Sequence, residues 1–117
     1  MIIDSYVNTM LSGFLPESVE LALHSDEPVI GSNLNELSGG DYVRKTIEFE
    51  SAANNRIVSN TNAVTFENLP ASVISYISIC DSSDGSIVCY DEFAPNLNVV
   101  SGDILEIAVG DLQITIN

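Results

Sequence analysis

Positive charge is almost missing from this chain. Lys and Arg total 3 against 17 Asp and Glu, a formal net charge of -14. Phosphate contact needs clustered cations, and a field of this sign repels a nucleic-acid backbone, so no DNA or RNA partner is expected. Histidine is scarcer still, with His24 alone, and with only 2 Cys beside it a four-ligand zinc site cannot close without carboxylates. No apolar run approaches the roughly 18 residues of a membrane span. The opening MIIDSYVNTML has no basic region and carries Asp4, so no secretory signal is expected and the product is read as made in a cytoplasm. No glycine-rich loop leads into a helix to cradle phosphate, and internal repeats are absent.

What is present is enough for one domain. A chain of 117 residues with 45% hydrophobic content can bury a real core, and it is too apolar for a disordered acidic tail. The charge then reads as solubility at high local density.

The stretch Ser38–Glu50, SGGDYVRKTIEFE, organises the rest. Gly39 and Gly40 supply a bend, and alternation along the strand sets Val43, Lys45, Ile47 and Phe49 on one face, with Tyr42, Arg44, Thr46, Glu48 and Glu50 on the other. Arg44 and Lys45 are two of the three cations and point oppositely.

Residues 4–14 have helical spacing, with Val7, Met10, Leu11 and Phe14 along one side, a cap at Asp4 or Ser5, and Gly13 and Pro16 as stops. About three turns do not persist alone, so this stripe must dock on its own domain or on a neighbouring subunit. ELALH, residues 20–24, is a strand with Leu21 and Leu23 on one face, followed by a long polar loop over 25–37. Short strands follow at 56–59 and 63–66. VISYISICD, residues 73–81, is a central strand, and with Asp84-Gly85 as a two-residue loop it pairs with 87–93, placing Cys80 opposite Cys89 and Tyr76 opposite Phe93. Gly110-Asp111 as a hairpin turn pairs Val109 with Leu112, Ile107 with Ile114 and Leu105 with Ile116. The expected fold is mainly β. It is an antiparallel sandwich of about seven to eight strands with a short N-terminal helix, divided as 1–18 (helix and docking segment) and 19–117 (sandwich). A small barrel competes with it. Gly39, Gly40, Gly85 and Gly110 are the structural turn glycines.

Chemistry is thinly marked. His24, Ser25 and Asp26 are sequence neighbours, which does not make a triad, and a strand-end His half in solvent accounts for them. Asp81, Asp84 and Asp91 suggest calcium at a hairpin tip, yet Asp and Gly in a tight turn need no metal. Cys80 and Cys89 are read as a reduced pair of small side chains, with a cross-hairpin disulfide as the alternative. No catalytic residue, cofactor or metal is assigned.

The ordered series LALHSDEP, ELSGGDYVRKTIEF, AVTF, SYISICDSSDGSIVCY and SGDILEIAVGDLQITI resembles a family of small tailed-bacteriophage virion structural proteins, known as head-decoration or tail-fibre-like proteins. It covers residues 19–116, nearly the whole chain; the N-terminal helix and the cysteine pair fall outside the pattern. The resemblance implies a non-enzymatic β-sandwich in the virion. The leading expectation is a capsid cement protein bridging subunits of the major capsid protein; the alternative is a tail-fibre or baseplate-associated binding module. A homotrimer is expected, with Val7, Met10, Leu11, Phe14 and Arg44 as candidate interface residues; no membrane partner is expected. Mutual repulsion between acidic copies predicts assembly that tightens as salt rises, whereas an acidic face docked on a basic partner predicts release.

Overall fold

The computed structural model describes residues 18–32, 34–50 and 57–115. The helix expected at 4–14, with Val7, Met10, Leu11 and Phe14, lies outside them. Within them are eight strands: β1 (Val19–His24), β2 (Lys45–Ile47), β3 (Ile57–Ser59), β4 (Val64–Leu69), β5 (Ser72–Asp81), β6 (Ile87–Val99), β7 (Asp103–Ile107) and β8 (Gln113–Thr115). All pairings are antiparallel and the fold is mainly β. A four-stranded sheet runs β2-β1-β5-β6, and two two-stranded sheets, β3-β8 and β4-β7, complete it.

One apolar core joins the four-stranded sheet to the β4-β7 sheet. Leu21 and Leu23 from β1, Ile47 from β2, Phe66 and Leu69 from β4, Ile74 and Ile79 from β5 and Ile107 from β7 form a single buried cluster. The second face of β1 is covered too: Ala22 and His24 are as buried as the leucines. Dispersion and apolar transfer at this centre hold the sheets together, and truncating the buried Phe66 belongs among changes that cost about 3–5 kcal/mol.

The strand expected over Ser38–Glu50 divides between sheets. Lys45–Ile47 pairs with β1, and the chain then crosses, with Thr61 N–H donating to Glu48 O and Glu50 N–H to Ser59 O. Asn62 fixes the crossing: its Oδ1 accepts from Glu48 N–H and its Nδ2 donates to Thr46 O. Alternation therefore places Ile47 in the core, but before Lys45 the backbone is not strand. Val43 is 55% exposed while Tyr42 turns inward and stacks on Phe66, ring centroids 5.9 Å apart.

Two expected registers are corrected. The β5–β6 turn is not a two-residue Asp-Gly loop: Asp81 N–H donates to Ser86 O and Gly85 N–H to Asp81 O, so Ser82–Gly85 form the turn. Asp81 Oδ1 accepts from Ser83 N–H and Oγ, and Asp84 Oδ1 from Ser86 N–H and Oγ, which is why the wider turn wins. Cys80 then faces Ile87, and after a bulge Ile79 faces Cys89 and Tyr76 faces Glu92. Cys89 packs on the core side while Cys80 meets Ser78 Oγ on the other, and both thiols are free.

The C-terminal hairpin does not form. Strand β7 pairs with β4 (Phe66 opposite Leu105) and β8 with β3 (Val58 opposite Ile114). A turn exists, with Asp111 N–H donating to Ala108 O, but the backbones it joins separate around Asn60. That side chain, 1% exposed, donates from Nδ2 to Ala108 O and Asn62 O and accepts at Oδ1 from Leu112 N–H. Its own backbone takes Gly110 N–H and donates to Leu112 O. The partners that a hairpin would give these groups are supplied by one buried amide.

The four turn glycines have positive φ, but two differ in surroundings. A Cβ at Gly40 would collide with the Asn68 carbonyl oxygen, whereas at Gly110 it would meet nothing within 4 Å. Gly110→Ala should therefore cost only left-handed strain, about 1 kcal/mol. Gly40→Ala should cost several-fold more, because the neighbour is backbone. Urea unfolding of the two variants side by side checks this, and equal losses would refute it.

Candidate functional site

The ends of the loop between β1 and β2 are drawn together: Ser25 N–H donates to Asn35 O, Leu37 N–H donates to Leu23 O, and His24 bridges Glu36. At this neck the chain places a polar clasp. Arg44 Nε donates to Glu36 Oε2 at 3.0 Å and Nη2 to Oε1 at 2.8 Å, a bidentate pair, while Nη1 reaches Gly85 O at 3.0 Å. Tyr42 Oη donates to the same Oε2 at 2.6 Å and accepts from Leu23 N–H. One guanidinium thus ties the loop neck to the β5–β6 tip. The side chains of Arg44 and Glu36 are 22% and 10% exposed, and theirs is the one ion pair among the described residues.

Burial pushes the Glu36 carboxyl up, but the hydrogen bonds from Arg44 and Tyr42 outweigh it and hold it below the usual carboxylate range. Burial and then the bond to Glu36 raise the Tyr42 phenol, and pairing with Glu36 raises Arg44. All three stay in their neutral-pH states.

Behind the clasp lies a buried polar line. His24 Nε2 is 2.7 Å from Ser78 Oγ, and Ser78 Oγ is 3.4 Å from Cys80 Sγ. His24 Nδ1 is the buried side-chain atom without a hydrogen-bond partner among the described residues. A bare lone pair costs less than an orphaned N–H, so the favoured tautomer has Nε2–H donating to Ser78. His24 is therefore not half in solvent as expected; it is 1% exposed, because both faces of β1 are covered. Ser25 donates to Asn35 O and Asp26 accepts from Glu27 N–H, so neither converges on the imidazole. Among the described residues no three His, Cys, Asp or Glu side chains gather as a metal would require. Asp91 pairs with Ile77 along β6, apart from the hairpin turn where calcium was considered.

Desolvation lowers the His24 pKa from its ordinary 6.5, the field of Glu36 opposing and that of Arg44 adding. Glu36 is likewise lowered from 4.5. A depressed folded pKa gives stability that is present above the unfolded value and lost as pH falls through the folded one. Stability should thus decline in two steps on acidification, first below 6.5 and again below 4.5. His24→Gln should remove the upper step and leave the lower. Unfolding midpoints across a pH series read both, and an unchanged upper step in the variant would refute the assignment.

Two clefts flank Arg44. One, of about 410 Å³, is lined by Gly31, Ser32, Asp84, Gly85, Ser86 and Ile87 with the guanidinium. The other, of about 600 Å³, runs along Glu20, Glu36, Ser38, Tyr42 and Val43. On the loop, Val29, Ile30 and Leu34 are 40%, 67% and 62% exposed. Sequence reasoning passed over these three; the signal was Val29-Ile30 between Pro28 and Gly31 inside a polar stretch. Of the candidate interface residues only Arg44 lies in the described part, and it is engaged by its own chain. Lys45 sits in β2 opposite Leu21.

Among the described residues there is no helix long and apolar enough to cross a membrane. No curated protein matches this chain. Residues 2–115 match the family described as podophage GP4 fiber I protein gp80, named Gp80. That span takes in every strand, the Arg44–Glu36–Tyr42 clasp and the loop it closes. The chain belongs to the Gp80 family of podophage fibre proteins, and is a structural component of the phage particle.

Proposed function

We propose that the protein is a tail-fibre module, or a fibre-attachment module, rather than a cement protein of the capsid. The observation that carries this is the family match over residues 2–115, whose description is that of a fibre protein. The geometry suits it. A loop with exposed Val29, Ile30 and Leu34, closed at its neck by a bidentate ion pair, presents apolar contact surface on a fixed frame. Arg44 then serves attachment at second hand, by holding the loop. The work is assembly, without catalysis or cofactor. The unit is a homotrimer, with residues 1–18 contributing to its contacts.

Copy number and position test the assignment. Quantitative mass spectrometry of purified particles, with immunogold labelling, should find a few to tens of copies at the tail. Hundreds distributed over the head would overturn it in favour of a cement bridging major capsid subunits. Light scattering of the intact protein and of a form lacking residues 1–15 tests the trimer. Loss of the trimer with the β-fold retained supports it; an intact protein that is monomeric at all concentrations and on particles overturns it.

A further inference from the structure

The face of the four-stranded sheet opposite the core carries two aromatic rings beyond the clasp. Tyr76 on β5 and Tyr90 on β6 meet edge to face, centroids 6.2 Å apart at 61°, and Tyr90 is 40% exposed. Tyr90 is exposed and Tyr76 half-buried beside it, so the two rings form one aromatic surface with a hydroxyl on each. Their surroundings are acidic. Glu92 is the register partner of Tyr76 across the β5–β6 ladder. Asp26 and Glu27 follow His24, the register partner of Tyr76, by two and three residues, so the loop leaves this end of the sheet carrying two carboxylates. Desolvation first, and then the fields of Glu92, Glu27 and Asp26, push the Tyr76 phenol up. On this face His24, the partner of Tyr76 across the β1–β5 ladder, leaves its buried Nδ1 unpaired.

None of this charge is neutralised by the cations described. Arg44 is spent on Glu36 and Gly85, and Lys45 is on β2, at the far edge of the order β2-β1-β5-β6. A tyrosine face is the negative pole of a ring quadrupole, and carboxylates beside it add to the attraction for a cation. We propose that the Tyr76–Tyr90 face, with Glu92, Asp26 and Glu27, docks a Lys- or Arg-bearing segment of another virion protein.

The occupant follows from charge. A second copy brings only 3 Lys and Arg with its 17 acids, so the partner is a different chain with an exposed basic segment. Arg is the better match, since its planar guanidinium stacks on a ring and pairs with a carboxylate at once. The inference rests on the protein being a structural module of the particle, but its test does not depend on head or tail location, which copy counting decides separately.

The probe is a synthetic Arg-rich hexapeptide, titrated into the intact protein at physiological salt and followed by calorimetry and by tyrosine NMR shifts. Any chain of net charge -14 attracts a polycation, so substitutions decide the case. Tyr90→Ala, which changes no charge, should weaken binding about five- to tenfold, and Tyr90→Phe should retain it. Glu92→Gln should weaken it more than Asp111→Asn, which removes one charge from the turn beyond β7. Shifts should centre on Tyr76 and Tyr90. Equal losses for Glu92→Gln and Asp111→Asn, with Tyr90→Ala unchanged, would show diffuse polyanion attraction and overturn the proposal. Saturation by acetyl-arginine amide at the affinity of the peptide would also overturn it, because the face would then be a small-cation site.

Discussion

Arg44→Ala should lower folding stability by about 3 kcal/mol at neutral pH, the scale for removing one member of a largely buried, hydrogen-bonded ion pair. The loss has two parts. Glu36, whose side chain is 10% exposed, keeps a charge with only Tyr42 to satisfy it, and Gly85 O loses its donor. Arg44→Lys should recover less than half. An ammonium cannot span both Glu36 oxygens and the hairpin tip at once, since it is a point charge without a planar fork. For a domain of this size the Ala variant should melt roughly 10 °C lower. A double-mutant cycle with Glu36→Gln should return a coupling well above the ~0–1 kcal/mol of an exposed pair. Losses under about 0.5 kcal/mol in both Arg44 variants would mean that solvent replaces the clasp at no cost. On particles, the Ala variant should bind less well in proportion to its loosened loop, while Val29→Ala should weaken binding with the fold intact.

Asn60→Ala should be comparably damaging, by about 3 kcal/mol, for a different reason. The buried amide serves Ala108 O, Asn62 O and Leu112 N–H, and truncation strands these backbone groups where water enters with difficulty. Asn60→Asp is the sharper experiment. It has nearly the same shape, retains the acceptor for Leu112 N–H, and replaces two donated bonds with a buried carboxylate facing carbonyl oxygens. It should therefore be worse than Ala at neutral pH and recover partly in acid as the carboxyl is protonated. Chemical denaturation at two pH values separates the cases; an Asp variant as stable as wild type would show the site to be wet.

The sequence was read best where alternation alone decides the outcome. Leu21 and Leu23, and Ile47, are on core faces, because side chains alternate along a strand whatever its partner is. Pairing was less legible, since partner choice is decided by groups far away along the chain. Gly110-Asp111 between aliphatic runs has every local property of a hairpin, and only the contacts of Asn60 with Ala108 and Leu112 reveal that the runs part. The β5–β6 register slipped for a smaller reason: Asp81 and Asp84 each capture a serine two residues on, which widens the turn. Arg44 stood out as one of three cations, but Glu36 did not, because one acid among 17 carries no mark. The buried state of His24 was missed because a single strand cannot announce that both its sides will be covered.

The separation of β7 from β8 also has a mechanical side. Strand β1 is gripped on both flanks, by six register pairs to β5 and three to β2. Among the described residues strand β8 is gripped on one, by three pairs to β3. Tension that draws β1 and β8 apart therefore meets unequal resistance, and the β8–β3 seam opens first while the four-stranded sheet stays shut. Asn60 sits where that opening must start and acts as its latch. Stretched between these two strands, the domain should lengthen first by a short segment that can close again, without the core being breached.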